Sequence, residues 1–97
     1  MTISFEEIKH KKLDDLIKRE NEYEFPEFLT MLRQILGANR KILAKELDIS
    51  DFLLFRWENG KFKRCIKPLK LAIISDYYHV PFKLLSRKMK EFKFFHF

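Results

Sequence analysis

The sequence predicts an all-α fold. Along most of the chain, apolar residues recur every three or four positions, which is the spacing of one buried helix face. Prolines stand where several helices would begin, and the chain's two glycines, Gly37 and Gly60, stand where two helices would end. Ninety-seven residues are enough for one domain with a single modest core of packed helices.

The first third of the chain is expected to form two helices. The first spans residues 4–22, where acidic residues near the start and basic residues near the end complement the helix dipole. Its partial apolar stripe consists of Phe5, Ile8, Leu13, Leu16 and Ile17. The second helix begins at Pro26 and stops at Gly37, and its inward face consists of Leu29, Leu32, Ile35 and Leu36.

Residues 39–60, NRKILAKELDISDFLLFRWENG, are the most informative stretch, because they predict two short amphipathic helices joined by a tight turn. Asn39 and Ser50 each have the short polar side chain that caps the start of a helix. Ala44 is small, as is needed where two steeply crossing helices approach each other closely. Gly60 ends the second helix, because glycine enters the left-handed conformation without steric cost.

The last third is expected to add two helices and an aromatic tail. After a basic loop at residues 61–67, Pro68 and Pro81 open the helices. The chain then runs into KEFKFFHF, whose aromatic richness favours a short β-strand with Phe92 and Phe94 on one face. So apolar a tail is unfavourable in water, and it is therefore expected either to be exchanged between two subunits or to fold back onto its own core.

The central stretch combines with a later Val-Pro hinge and a pair of leucines into one pattern. Its members are Leu43-Ala44, Leu47, Ile49-Ser50, Leu54, Trp57-Glu58-Asn59-Gly60-Lys61, Val80-Pro81 and Leu84-Leu85. This pattern resembles the Cro/CI-type helix-turn-helix family (XRE family, lambda-repressor-like), over roughly residues 26–86. The resemblance implies a five-helix DNA-binding domain, to which this chain adds an N-terminal helical arm at residues 1–25 and a basic, aromatic tail at residues 87–97.

The resemblance also implies which residues would meet DNA. The second helix of the motif lies in the major groove in such domains, and the positions that would face bases are Asp51, Phe52, Phe55 and Arg56. Arg56 is expected to bind guanine through two hydrogen bonds, whereas the two phenylalanines offer apolar contacts, for instance to thymine methyl groups. The positions that would contact phosphate are Arg40, Lys41, Asn59, Lys61, Lys63 and Arg64. Trp57 is expected in the core, and Glu58 is expected to brace helix ends.

Members of this family bind pseudo-palindromic sites as dimers, so the resemblance implies a homodimer. The natural dimer surface is the C-terminal helix and tail. The residues expected there are Phe82, Leu85, Met89, Phe92, Phe94, Phe95 and Phe97.

The charge distribution agrees with a polyanionic partner. The net charge is +6, and it is uneven: residues 1–30 carry five basic and eight acidic side chains, and residues 31–97 carry fifteen and six. A solvated lysine-rich surface would have the same composition, so charge alone does not decide. The expected function is a sequence-specific transcriptional regulator, a repressor that binds a palindromic operator as a homodimer. The alternative is an antitoxin of a toxin-antitoxin system, or another interaction module, that binds a protein partner through apolar surfaces.

The sequence shows no pattern typical of an enzyme. His10, His79 and His96 lie far apart without zinc-site spacing, and there is no glycine-rich phosphate loop or nucleophile motif, so no metal or cofactor is expected. Cys65 is the single cysteine, and the acidic N-terminus is unlike a secretion signal, so a cytoplasmic location is expected. No apolar run approaches the roughly twenty residues that cross a bilayer.

Overall fold

The computed structural model describes residues 5–61 and 64–95, with side chains for residues 7–61 and 64–92, and all regular structure in these ranges is helical. A short 3-10 turn at Glu20–Glu22 follows the first helix. The helices are α1 (Phe5–Lys18), α2 (Phe25–Ile35), α3 (Arg40–Glu46), α4 (Asp51–Glu58), α5 (Pro68–Tyr78) and α6 (Phe82–Phe95). The prediction of an all-α protein is confirmed. Nowhere in the described ranges does a helix combine the length and apolar character needed to cross a membrane.

Local signals set the helix starts. The Asn39 side chain accepts a hydrogen bond from the Lys41 backbone N–H at 2.8 Å, and the Ser50 hydroxyl accepts one from the Leu53 N–H at 3.0 Å. Both residues therefore cap their helices as predicted, because each satisfies an amide that the helix itself leaves free. Pro26 is the second residue of α2, so that helix begins one residue earlier than expected.

Four helices end with a residue in the left-handed conformation, namely Gly37, Asp48, Gly60 and His79. After Asp48, for example, the Ile49 N–H donates to the Ala44 carbonyl at 3.0 Å, which closes the last turn of α3. Asp48 lacks the conformational freedom of glycine. The Lys70 ammonium compensates by donating to the Leu47 carbonyl at this helix end, where a cation also favours the helix dipole.

One hydrophobic core joins all six helices. It contains Leu13, Leu16, Phe25, Phe28, Leu29, Leu32, Leu43, Ala44, Leu47, Leu54, Trp57, Ile66, Leu71, Ile74, Tyr78, Val80, Leu85 and Met89. Trp57 belongs to this core, as predicted. The N-terminal arm shares the core through Leu13 and Leu16, so α1 packs onto the body of the protein rather than extending from it.

The C-terminal tail is not the predicted strand. Residues 92–95 continue α6, and Leu85, Met89 and Phe92 recur at helical spacing on its inner side. Packing of this stripe against the core outweighs the preference of isolated aromatic residues for strands, which depends strongly on context. The last two residues of the tail, His96 and Phe97, lie outside the described residues.

The same burial changes the predicted dimer surface. The exposed fraction is zero for Leu85 and 5% for Met89, because both side chains fill the chain's own core and do not face a second copy. Phe92 is half-buried and packs against that core as well. Phe82 remains exposed. The side chains of Phe94 and Phe95, and Phe97 as a whole, lie outside the described part of the chain.

Two partly buried ion pairs tie distant segments together. Arg33 donates to both oxygens of Glu58 at 2.8 and 3.0 Å and so links α2 to the end of α4. Glu58 therefore braces the helices, as predicted. The buried Lys88 ammonium of α6 donates to the Glu20 carboxylate at 3.1 Å and to the Glu20 and Tyr23 carbonyls at 2.5 and 2.6 Å.

Glu20 also accepts a hydrogen bond from Arg87 at 2.6 Å. Burial raises the pKa of the Glu20 carboxyl, but the hydrogen bonds from Arg87 and Lys88 outweigh it and hold the pKa below its ordinary value. The folded chain therefore stabilises the charged carboxylate, and α6 is fastened to the turn after α1.

Substitution of Gly60 by alanine tests whether the Phe92 ring packs over this glycine. A methyl group at Gly60 would lie 3.1 Å from the Phe92 ring and 3.3 Å from Pro26, whereas one at Gly37 would meet nothing within 4 Å. Gly37→Ala is the matched control, because both glycines have positive φ. We expect Gly37→Ala to lower the free energy of unfolding by about 1 kcal/mol and Gly60→Ala by about 2 kcal/mol or more, measured by urea unfolding. Equal losses would contradict the packing of Phe92 over Gly60.

Tyr78 gives a pH-dependent test. Its side chain is buried, and its hydroxyl has no hydrogen-bond partner among the described residues. Burial raises the pKa of this hydroxyl above its ordinary value near 10. Folding therefore favours the neutral hydroxyl over the phenolate. The contribution of this group to the free energy of unfolding is fully present below pH 10, and it is lost as the pH rises further, because the unfolded tyrosine then ionises more readily than the folded one.

We expect Tyr78→Phe to raise the free energy of unfolding by about 1 kcal/mol at neutral pH, because it removes a buried unpaired hydroxyl. Its advantage over the unmodified chain should grow above pH 10, where the unfolded tyrosine ionises. Tyr77→Phe controls for loss of a hydroxyl at the adjacent, half-buried position. A Tyr78→Phe chain less stable than the original would show that the hydroxyl has a partner.

Candidate nucleic-acid interface

Helices α3 and α4 form a compact pair joined by residues 47–50. The buried inner side of α3 consists of Leu43, Ala44 and Leu47, and that of α4 consists of Leu54 and Trp57. Ala44 has an exposed fraction of 2%, in agreement with the close approach expected at this position. With these residues inside, the opposite side of α4 faces solvent.

The exposed side of α4 carries two phenylalanines. The exposed fraction is 67% for Phe52 and 40% for Phe55, and the two rings are stacked with centroids 6.5 Å apart. Both belong to the set predicted to face bases, and neither is sealed inside the chain. The two rings therefore form an exposed apolar patch on the outer side of α4, of the kind that monomeric proteins rarely leave uncovered when it is large.

Arg40 and Asp51 lie beside these rings as an ion pair. The Arg40 Nε donates to Asp51 Oδ1 at 2.6 Å and the Nη2 to Oδ2 at 3.4 Å, while the guanidinium carbon lies 5.0 Å from the centre of the Phe55 ring. The hydrogen bond from Arg40 holds the pKa of the Asp51 carboxyl below its ordinary value. We call the set formed by Arg40 of α3 and by Asp51, Phe52 and Phe55 of α4 the α4 outer face.

The sequence did not predict this ion pair. Arg40 was expected at phosphate and Asp51 at a base, and their positions are the first residues of two different helices. The pair forms because the crossing of α3 and α4 brings these two helix starts together. Spacing rules for side chains apply within one helix, and these two residues belong to different helices, eleven positions apart. Their contact therefore depends on the tertiary structure and could not be predicted from spacing.

Arg56 and Asn59 are engaged at the end of α4. The Arg56 Nε donates to the Lys61 carbonyl at 3.1 Å, and the Asn59 side-chain amide donates to the Phe55 carbonyl at 2.7 Å. Arg56, expected to read bases, and Asn59, expected at phosphate, thus both hold the last turn of α4 and the following loop in place. Arg56 is half-buried, and Asn59 is exposed.

A groove beside α4 is lined by several basic residues. Its volume is about 370 Å³, with an apolar wall that includes Leu53, Trp57 and Ile66. The basic residues that line it are Arg56, Lys61, Arg64, Lys67 and Lys70. No acidic side chain is among its described lining residues. We call it the basic groove.

The predicted phosphate-binding residues lie in different parts of this surface. Lys61 and Arg64 are exposed and line the basic groove, whereas Lys41 is exposed at the start of α3. Arg40 is paired with Asp51. Lys63 lies outside the described residues. Lys67 and Lys70 also line this groove, and they were not among the predicted phosphate contacts, although both follow closely on the basic loop after α4.

Basic side chains outnumber acidic ones around α3 and α4. Residues 39–70 contain nine basic and four acidic side chains. Two of the carboxylates, Asp51 and Glu58, form ion pairs with Arg40 and Arg33. The other two acidic residues of this range, Glu46 and Asp48, are exposed.

The geometry thus joins an exposed aromatic helix face to a groove lined by five cations. Comparison of the chain with protein-family models, with curated proteins and with solved structures finds no match in any of the three.

Proposed function

We propose that the chain is a sequence-specific DNA-binding regulator of transcription, in which α3 and α4 act as a helix-turn-helix motif of the lambda-repressor-like kind. One observation carries this proposal: α4 presents an exposed face outward, and the basic groove runs beside the same helix, from Leu53 to Lys61 beyond its C-terminal end. That combination suits a helix that enters a groove of the duplex while adjoining cations bind its backbone.

The size of α4 suits the major groove. An α-helix with its side chains is roughly 10–12 Å across, and the major groove is about 12 Å wide. Phe52 and Phe55 stand out from the helix, and each can contact the methyl group of thymine. The apolar character of this face therefore favours sites that contain thymine.

The cations supply the affinity that does not depend on sequence. Lys61 and Arg64 stand at one end of α4, and Lys41 stands at the start of α3, so phosphates on both sides of an inserted helix have exposed partners. Each phosphate contact releases condensed counterions from the duplex, which makes binding weaken as salt rises.

A homodimer acting as a repressor is the form of this function that we favour. One such domain makes few base contacts, and two copies on a palindromic site double them. In the tail set proposed for dimer contact, Phe82 is exposed and remains available, whereas Leu85 and Met89 are occupied by the core. A bound dimer would block access to a promoter that overlaps its site.

Salt dependence tests the proposal. If about six phosphates are contacted per subunit, the association constant for a duplex should fall by about five powers of ten for each tenfold rise in salt. Fluorescence anisotropy with a labelled duplex measures this. Lys61→Ala and Arg64→Ala should weaken binding to all duplexes alike and reduce the salt slope by about 1 each. Lys11→Ala, on the exposed side of α1, is the control. A flat salt response would exclude the proposal.

A second candidate function is binding of a protein partner, as an antitoxin binds a toxin. The observation that favours it is the exposure of Phe52 and of Ile42, at 67% and 57%, on the same pair of helices. The two functions are compatible, because one chain can bind a partner and also repress its own operon.

Phe52→Ala separates the two candidates. If the face meets DNA, this change should lower affinity for a preferred duplex about tenfold and leave complex formation with the product of a neighbouring gene intact. If it meets protein, the complex should be lost while duplex affinity is unchanged, as measured by co-purification and anisotropy. Leu69→Ala, which removes an exposed apolar side chain on α5, is the matched control.

A further inference from the structure

We propose that Arg40 reads a guanine in the DNA site and that Asp51 and Phe55 aim its guanidinium. This inference rests on the proposed DNA-binding function and names the base that the α4 outer face selects. It also assigns Arg56 a different role from the one that its position in the sequence suggests.

The ion pair leaves the correct edge of Arg40 available. A guanidinium has five N–H donors, and Asp51 occupies one on Nε and one on Nη2. One Nη1 proton and the second Nη2 proton remain side by side along the end of the guanidinium, and the other Nη1 proton points to the opposite side. Two parallel donors on such an edge match the O6 and N7 acceptors that guanine presents in the major groove.

Phe55 supplies the second constraint. The guanidinium carbon lies 5.0 Å from the centre of the Phe55 ring, within the distance of a cation–π contact. The ring limits tilting of the guanidinium, and the Asp51 carboxylate limits its rotation within its own plane. A side chain held by both loses less conformational freedom on binding, so its two hydrogen bonds are more selective.

Exposure agrees with a role in recognition. The side chains of Arg40 and Asp51 are 33% and 34% exposed, and surface ion pairs of this kind add little to the stability of a fold. The pair lies on the same face as Phe52, which is the most exposed ring of α4. A guanine bound by Arg40 and a thymine methyl against Phe52 would therefore be neighbours in each half-site.

Arg56 is placed differently. Its Nε donates to the Lys61 carbonyl, just beyond the end of α4, and the side chain also lines the basic groove. Arg56 thus acts as a positioning residue that holds the loop and its cations at the phosphate backbone. Its loss should affect all duplexes, whereas the loss of Arg40 should affect the choice of base.

The test begins with selection from a randomised duplex library by the full chain. We expect the enriched duplexes to share a guanine in each half-site, and replacing that G·C pair by A·T should weaken binding of the unmodified chain roughly ten- to hundredfold. Arg40→Lys keeps the positive charge but lacks the two-pronged donor edge. It should therefore keep the salt slope and lose most of the preference for guanine.

Two further variants separate the roles. Asp51→Asn removes the carboxylate that aims Arg40, so it should reduce guanine preference while raising affinity for all duplexes, because a negative charge near the phosphates is gone. Arg56→Ala should weaken every duplex alike and keep the preference. Circular dichroism confirms that each variant is folded.

The outcomes are distinct. If the unmodified chain enriches a motif but Arg40→Lys discriminates guanine as well as the original, Arg40 is a phosphate contact and this inference alone is overturned. The same follows if Arg56→Ala is the variant that loses guanine preference. If the unmodified chain retains no duplex at any salt concentration, the proposed function itself fails, and the assignment of Arg40 fails with it.

Discussion

The ion pair between Arg33 and Glu58 sets the position of α4, on which every other part of the candidate interface depends. The Glu58 side chain is 5% exposed and receives two hydrogen bonds from Arg33, so each of its oxygens has a partner. Removing either residue would leave a buried charge without compensation, which is far more costly than loss of a surface pair. Together with the burial of Trp57, this contact fixes the rotation of α4 about its own axis and turns Phe52 and Phe55 towards solvent.

Once α4 is fixed, its neighbours complete the surface. α3 packs against α4 with Ala44 buried, and this packing brings Arg40 to Asp51 across the two helix starts. At the other end of α4, the Arg56 side chain holds the Lys61 carbonyl and thereby places the basic loop. The same helix thus has an ordered, partly neutralised face at its start and a concentration of positive charge at its end. In the DNA-binding function that we propose, that polarity would assign selection among bases and binding of the backbone to different side chains.

The two terminal helices support this arrangement from behind. The buried Lys88 ammonium is satisfied by Glu20 and by backbone carbonyls of the turn after α1, which joins α6 to the start of the chain. Further along α6, Phe92 covers Gly60, the residue that ends α4. Phe92, the tail phenylalanine whose side chain the structure describes, therefore packs against the chain's own core rather than extending into solvent.

The sequence alone determined the features whose causes are local. The caps at Asn39 and Ser50, the end of α2 at Gly37 and the core position of Trp57 follow from hydrogen-bonding capacity, backbone freedom and apolar spacing within a few residues. The tertiary structure decided the features that need distant residues to meet: the pairing of Arg40 with Asp51, the basic groove, and the helical rather than extended tail. The physical reason is that burial and ion pairing depend on which helix surfaces meet. How helices pack against one another decides this, and the spacing of residues along the sequence does not specify that packing.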